Sequence, residues 1–210
     1  MTMTMTRITE NKEHIIAAAV RLWQQAHNVN KVSLADIARE AGVSPTTVYN
    51  NFGTREGLVE EVIKHLLAEI LGKQKAILNS DLPFPAKVQN MISVKMKATR
   101  GIQVDLLDKI CTDTSAKEYV KQMTETEAKP MMRALIGEGK REGYIRADLP
   151  DEVIMLYFDI LQSGSATCTE EMRRVVGDKR LTAALTRLIY FGLFQKEFDL
   201  PFNESAEKES

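Results

Sequence analysis

Residues 46–51 read Thr-Thr-Val-Tyr-Asn-Asn, a run of short, stiff hydrogen-bonding side chains with one aromatic among them. An Asn amide presents a donor and an acceptor spaced to match an adenine edge. A Thr can bond a base edge or touch a thymine methyl, and Tyr and Thr hydroxyls can hold phosphate oxygens. On a helical wheel of about 100° per residue, Val48 and Phe52 fall on one side, Thr46, Thr47 and Asn50 on the other, and Tyr49 and Asn51 on the flanks. The alternative is an ordinary solvated face, but such faces are usually built of Lys and Glu, and this run holds neither. The chemistry expected is base reading in a major groove, with an adenine opposite Asn50 or Asn51.

Such side chains need a helix held at a fixed angle, and the flanking residues supply one. Ser33 can cap a first helix, with Asp36 placing a carboxylate near its positive end. Leu34, Ile37, Ala38 and Ala41 make an apolar stripe at spacings of three and four. Gly42 follows where a positive φ is needed. Ser44 and Pro45 restart a helix, the hydroxyl as cap and the ring at a position where no N–H is missed. This second helix is expected from about Pro45 to Asn51, and the whole is a helix-turn-helix.

A first helix with apolar Ile15, Ile16, Ala19, Leu22 and Trp23, followed by GVSPTTVYNNFGTREGLVEEVI, resembles the DNA-binding domain of TetR-type transcriptional regulators over roughly residues 8–70. In that family a Tyr-x-x-Phe pair, here Tyr49 and Phe52, ends the motif and a small polar or basic stretch, here Thr54 and Arg55, leads into a long fourth helix. That helix would carry Leu58, Val59, Val62, Ile63, Leu66, Leu67 and Ile70. The resemblance implies DNA contacts from Ser44, Pro45, Thr46, Thr47, Tyr49, Asn51 and Arg55, with Ser33 meeting a phosphate. Asn50 is added from the wheel. The family often has Lys at Arg55 and a bulkier aromatic or His near Asn50 and Asn51, so this chain departs there while keeping hydrogen-bond donors. It further implies an all-α fold of about nine helices. Residues 1–55 would form a three-helix DNA-binding domain and residues 56–200 an effector-binding and dimerisation domain, with a polar tail at 201–210.

Composition agrees. The chain has 210 residues, 44% hydrophobic, enough for one small module and one larger domain. Its net charge is −1, and within residues 1–60 six basic side chains face six acidic ones. Nonspecific phosphate attraction is therefore modest, and affinity must come from helix N-termini, hydroxyls and two domains on one palindromic operator. No stretch approaches the roughly 18 apolar residues of a membrane span, and MTMTMTRITENK lacks the apolar centre of a signal peptide. A cytoplasmic location is expected. Cys111 and Cys168 are read as reduced structural thiols, with a thiol sensor as the alternative. His14, His27 and His65 make no metal pattern, and no cofactor or metal is expected. No catalytic motif supports an enzyme.

Past the fourth helix the pattern stays helical. NSDLPFP breaks the chain before a fifth helix, expected from Ala86 to about Arg100, and a short sixth carries Val104 to Cys111. A seventh starts near Ser115 and should kink at Pro130. Two last long helices, about Asp151 to Thr167 and Lys179 to Lys196, are apolar over most of their circumference, which calls for burial on every side. They are read as half of a four-helix homodimer interface, the alternative being the core of a large monomer. The family resemblance implies a small effector that shifts the spacing of the two recognition helices. Candidate liners are Met91, Met96, Leu106, Ile110, Met123, Met131, Tyr157, Phe158 and Leu161, with Glu127 or Gln162 as polar anchors. Ten methionines suit an adaptable cavity, although Met at helical spacing also serves as plain core. The function expected is a homodimeric repressor released from its operator by a lipophilic effector, the alternatives being a ligand-independent DNA-binding factor of the same fold and, far behind it, a helical enzyme.

Overall fold

The computed structural model describes residues 2–165 and 169–192, with the side chains of residues 2–9, Gln162 and Ser165 left aside. Among the described residues there are eleven α-helices and no strand, so the all-α expectation holds. By contact the chain divides into two compact units. The first holds residues up to Ala68 together with Thr99–Tyr119, and the second holds Glu69–Ala98 and the residues from Val120 onward.

The first unit contains α1 (Thr2–Ala26), a single 3-10 turn (Val29–Lys31), α2 (Leu34–Glu40), α3 (Pro45–Phe52) and the start of α4 (Arg55–Leu78). Also in it are α6 (Gln103–Thr112) and the start of α7 (Thr114–Met123). Its core is what the apolar spacings dictate. Ile15, Ala19 and Trp23 of α1, Ile37 and Ala38 of α2, Val48 and Phe52 of α3, and Leu58 and Val62 of α4 are all buried in this unit. Ile102, Leu106 and Ala116 are buried in the same unit, so α6 and the start of α7 belong by contact with the helix-turn-helix. A polar lattice ties its outer side. Lys12 of α1 and Lys64 of α4 pair with Glu61 at 2.5 and 3.0 Å, and Ser115 of α7 donates to Glu60 at 2.6 Å.

In the second unit lie the rest of α4, α5 (Phe84–Ala98), α8 (Lys129–Arg141), α9 (Asp151–Ser165), α10 (Glu170–Gly177) and α11 (Lys179–Phe191). Phe84, Val88, Leu135, Ile136, Ile145, Ile154 and Met155 form its buried core. The Phe84 and Tyr144 rings stack at 5.2 Å. Lys87 is buried with its ammonium donating to the Leu78 carbonyl at 2.9 Å and to Glu138 at 2.7 Å. It thus caps the negative C-terminus of α4 and neutralises a carboxylate of α8 in one step.

Four expectations are corrected. Pro130 lies in the first turn of α8, not in the middle of one α-helix: α7 runs into a π turn (Thr124–Ala128) and then α8, with Lys129 N–H bonded to the Thr124 carbonyl five residues back. One inserted residue accommodates a proline that has no N–H and crowds the preceding turn. The amphipathic α10 was not anticipated, because EEMRRVVG is short and half charged. The fifth helix starts at Phe84, where Pro85 occupies the first turn. Cys111 is disulfide-bonded, not a reduced thiol, and no free cysteine occurs among the described residues. Cys168, the ends of the last two long helices as expected at Thr167 and Lys196, and the 201–210 tail lie outside the described residues.

Candidate nucleic-acid interface

Each end of the helix-turn-helix is closed by local hydrogen bonds. Ser33 accepts from the Asp36 N–H at 3.1 Å, and the Asp36 carboxylate accepts from the Ser33 N–H at 3.3 Å and hydroxyl at 2.6 Å, a complete capping box. Those bonds, with Arg39, hold the Asp36 carboxyl below the usual carboxylate range. At the other end Gly42 takes φ 68°, with Gly42 N–H bonded to Arg39 and Val43 N–H to Ala38. That is a Schellman turn, which favours glycine through its φ, since no atom crowds the space a Cβ would fill. Ser44 then accepts from the Thr47 N–H at 3.1 Å and its hydroxyl lies 2.9 Å from that of Thr47, with Pro45 at the first helical position.

The end of α3 is fixed more firmly still. Gly53 closes it, Thr54 caps α4 by accepting from the Gly57 N–H at 3.0 Å, and a Cβ on Gly57 would stand 2.2 Å from the Phe52 carbonyl oxygen. Only glycine lets the first turn of α4 approach α3 so closely.

With Val48 and Phe52 turned inward, α3 presents Pro45, Thr46, Tyr49 and Asn50 to solvent, and the Tyr49 ring is 54% exposed. None of the side chains of Thr46, Tyr49 and Asn50 has a hydrogen bond within the described structure, so their polar groups are available. The other expected DNA residues are partly committed. Asn51 donates from its amide to the Thr47 carbonyl at 2.7 Å. Arg55 donates from Nη2 to the Val29 carbonyl and, at 2.7 Å, to that of Val32, and so braces the 3-10 turn before α2. Ser33 is exposed, but the Asp36 carboxylate already occupies that helix N-terminus.

Residues 15–62 match the family model described as bacterial regulatory proteins, tetR family. KstR2 of Rhodococcus jostii, an HTH-type transcriptional repressor, is 23% identical over 125 residues, covering 58% of this chain and 61% of KstR2. BetI of Brucella melitensis, an HTH-type transcriptional regulator, is 34% identical over 94 residues, covering 44% of this chain and 46% of BetI. The helix-turn-helix, α2 and α3, lies wholly within the residues that match this family model. The sequence matches thus span only about half to three fifths of these curated relatives. Two solved structures share the fold: a TetR regulator from Mycobacterium vanbaalenii (18% identity, 91% and 99% of the two chains, TM-score 0.56) and LfrR from Mycobacterium smegmatis in complex with proflavine (16%, 90% and 99%, 0.55). The relatives are transcription regulators, not enzymes, and no helix among the described residues is long and apolar enough to cross a membrane.

The expected effector liners are divided between the two units. Met91, Tyr157 and Phe158 are half-buried and pack on the core of the second unit, with the Tyr157 hydroxyl donating to the Ile189 carbonyl at 3.2 Å. Met131 is buried in that unit, and Met96, Met123 and Leu161 are half-buried in it. Leu106 and Ile110 belong to the first unit, and Leu106 is buried there. Glu127 stands in the π turn, 4.0 Å from Lys75. The Gln162 side chain lies outside the described residues.

Along α9, Val153, Leu156 and Ile160 form one exposed stripe at spacings of three and four, 52%, 57% and 61% open, and Leu188 of α11 is 71% open. Ile154 and Met155 of α9 are buried. Both expected interface helices therefore leave large apolar side chains uncovered in a single chain.

Proposed function

We propose that the protein is a homodimeric repressor that binds a palindromic operator in the cytoplasm and is released by a small lipophilic effector. The observation that carries the DNA reading is the outward row of Thr46, Tyr49 and Asn50 on a helix whose two ends and inner side are all fixed. Thr46, Thr47 and Asn50 read base edges, while Tyr49, Ser44, the Pro45 turn and Ser33 meet phosphates. Asn51 and Arg55 act chiefly by holding α3 and the turn before α2 in place. The exposed apolar stripe of α9 with Leu188 supports the dimer, because an uncovered row of this kind is costly in water and a two-fold axis supplies the second recognition helix. Half-buried methionine and aromatic side chains on the core of the second unit support a lipophilic effector.

The test is selection of bound duplexes from a random pool by the purified protein, repeated with Tyr49→Ala and Asn50→Ala. An enriched palindrome that is weakened by Tyr49→Ala, and loses its preference at one base pair per half-site in Asn50→Ala, is the expected result. Enrichment no better than that of the variants would defeat the assignment of α3 as the reading helix.

A further inference from the structure

Resting on the DNA reading above, we infer that Lys31, in the turn before α2, binds an operator phosphate beside Ser33. Between residues 10 and 60 the other four cations are taken up within the chain. Lys12 pairs with Glu61, Arg21 with Glu40 and Arg39 with Asp36, while Arg55 points Nη2 at the Val29 and Val32 carbonyls. Among the described residues of that stretch, Lys31 alone is an exposed cation with neither a carboxylate nor a carbonyl on its charged group. A surface lysine is ordinarily a solvated charge, but this one stands on a fixed base. The flanking Val29 and Val32 are buried, Arg55 braces the carbonyls of both, and the Asn28 side chain accepts from the Asn30 N–H at 2.7 Å. Val32 (φ −109°, ψ 126°) and Ser33 (φ −79°, ψ 157°) are both extended. In extended chain successive side chains point to opposite sides, so with Val32 turned in, Lys31 and Ser33 turn out together. Ser33 by itself offers a phosphate little, because its hydroxyl donates to the Asp36 carboxylate at 2.6 Å. A phosphate there needs a cation of its own. Arg55, the one cation among the expected DNA residues, is committed to the turn, and Lys31 brings the missing charge on a flexible stem that reaches without moving the backbone. Such a contact adds affinity and position but no base preference.

The test reads affinity for the palindrome enriched by the wild type, by fluorescence anisotropy across a series of salt concentrations. The full-length wild type is compared with Lys31→Met, Lys31→Arg and Lys121→Met, the last removing an exposed lysine of α7 in the second unit as a control for the same change of charge. Lys31→Met should bind about tenfold more weakly at low salt, and its plot of log affinity against log salt should be less steep by about 1.8, because a dimer loses two phosphate contacts. The sequence it enriches from a random pool should stay that of the wild type. Lys31→Arg and Lys121→Met should both keep the wild-type slope. An unchanged slope in Lys31→Met, an equal loss in Lys121→Met, a loss shared by Lys31→Arg, or a changed base preference overturns the phosphate contact and leaves α3 as the reading helix. If the wild type enriches no duplex at all, the Lys31 contact falls together with the DNA reading.

Discussion

Helices α3 and α9 are both amphipathic, but they turn opposite faces outward. On α3 the apolar residues Val48 and Phe52 are buried within the chain, and polar Thr46, Tyr49 and Asn50 face water. On α9 the buried pair is Ile154 and Met155, and it is Val153, Leu156 and Ile160 that face out. The first surface is finished within one chain and offers directional hydrogen bonds, which suit a partner that must be read. The second is unfinished and offers area without direction, which suits a partner of fixed shape such as a second copy. Perturbing the two helices should therefore fail in different ways.

The largest effect is expected where the unfinished face is blocked. The double variant Leu156→Glu, Ile160→Glu places charges on residues that a single chain leaves exposed, so the fold should survive by circular dichroism. Sedimentation should show a monomer, and operator affinity should fall by about two orders of magnitude as two linked half-site contacts become one. A stable dimer in this variant would move the interface elsewhere.

Next comes a change that attacks α3 through its support. Gly57→Ala puts a Cβ 2.2 Å from the Phe52 carbonyl, so the end of α3 or the start of α4 must shift. The expected cost is about 3 kcal/mol in urea unfolding, with operator binding lost even at temperatures where the protein remains folded. Gly72→Ala, on the same helix but with nothing within 4 Å of the added Cβ, makes the contrast. It should stabilise by about 0.5–1 kcal/mol through helix propensity and leave operator affinity unchanged. Opposite signs for two Gly→Ala changes on one helix would separate close packing from intrinsic preference.

Legibility in sequence follows the same division. Ser33 with Asp36, Gly42, and Ser44 with Pro45 act on neighbours within four residues, so their roles follow from spacing alone, and the structure has them as read. Arg55 was not legible, because the carbonyls it braces are 23 and 26 residues away and only the packing of α1, α2 and α4 brings them near. The π turn before Pro130 was half legible: a proline announces a disturbed helix, but whether it bends or widens depends on what packs around it.

The smallest expected effect belongs to the cap of α2, and its sign can be worked out. Hydrogen bonds from the Ser33 hydroxyl and backbone, then Arg39, lower the Asp36 pKa in the folded protein relative to the unfolded chain. A depressed carboxylate stabilises above its unfolded pKa, and that contribution is lost as pH falls through the folded value. Ser33→Ala should cost about 1 kcal/mol near neutrality and less in acid, where Asp36 is protonated in both proteins. Thermal melts of wild type and Ser33→Ala between neutral pH and the acid side of the carboxylate range should therefore converge. Curves that stay parallel would mean that the Ser33 hydroxyl acts on the backbone N–H alone, so that the cap of α2 owes nothing to the carboxylate beside it.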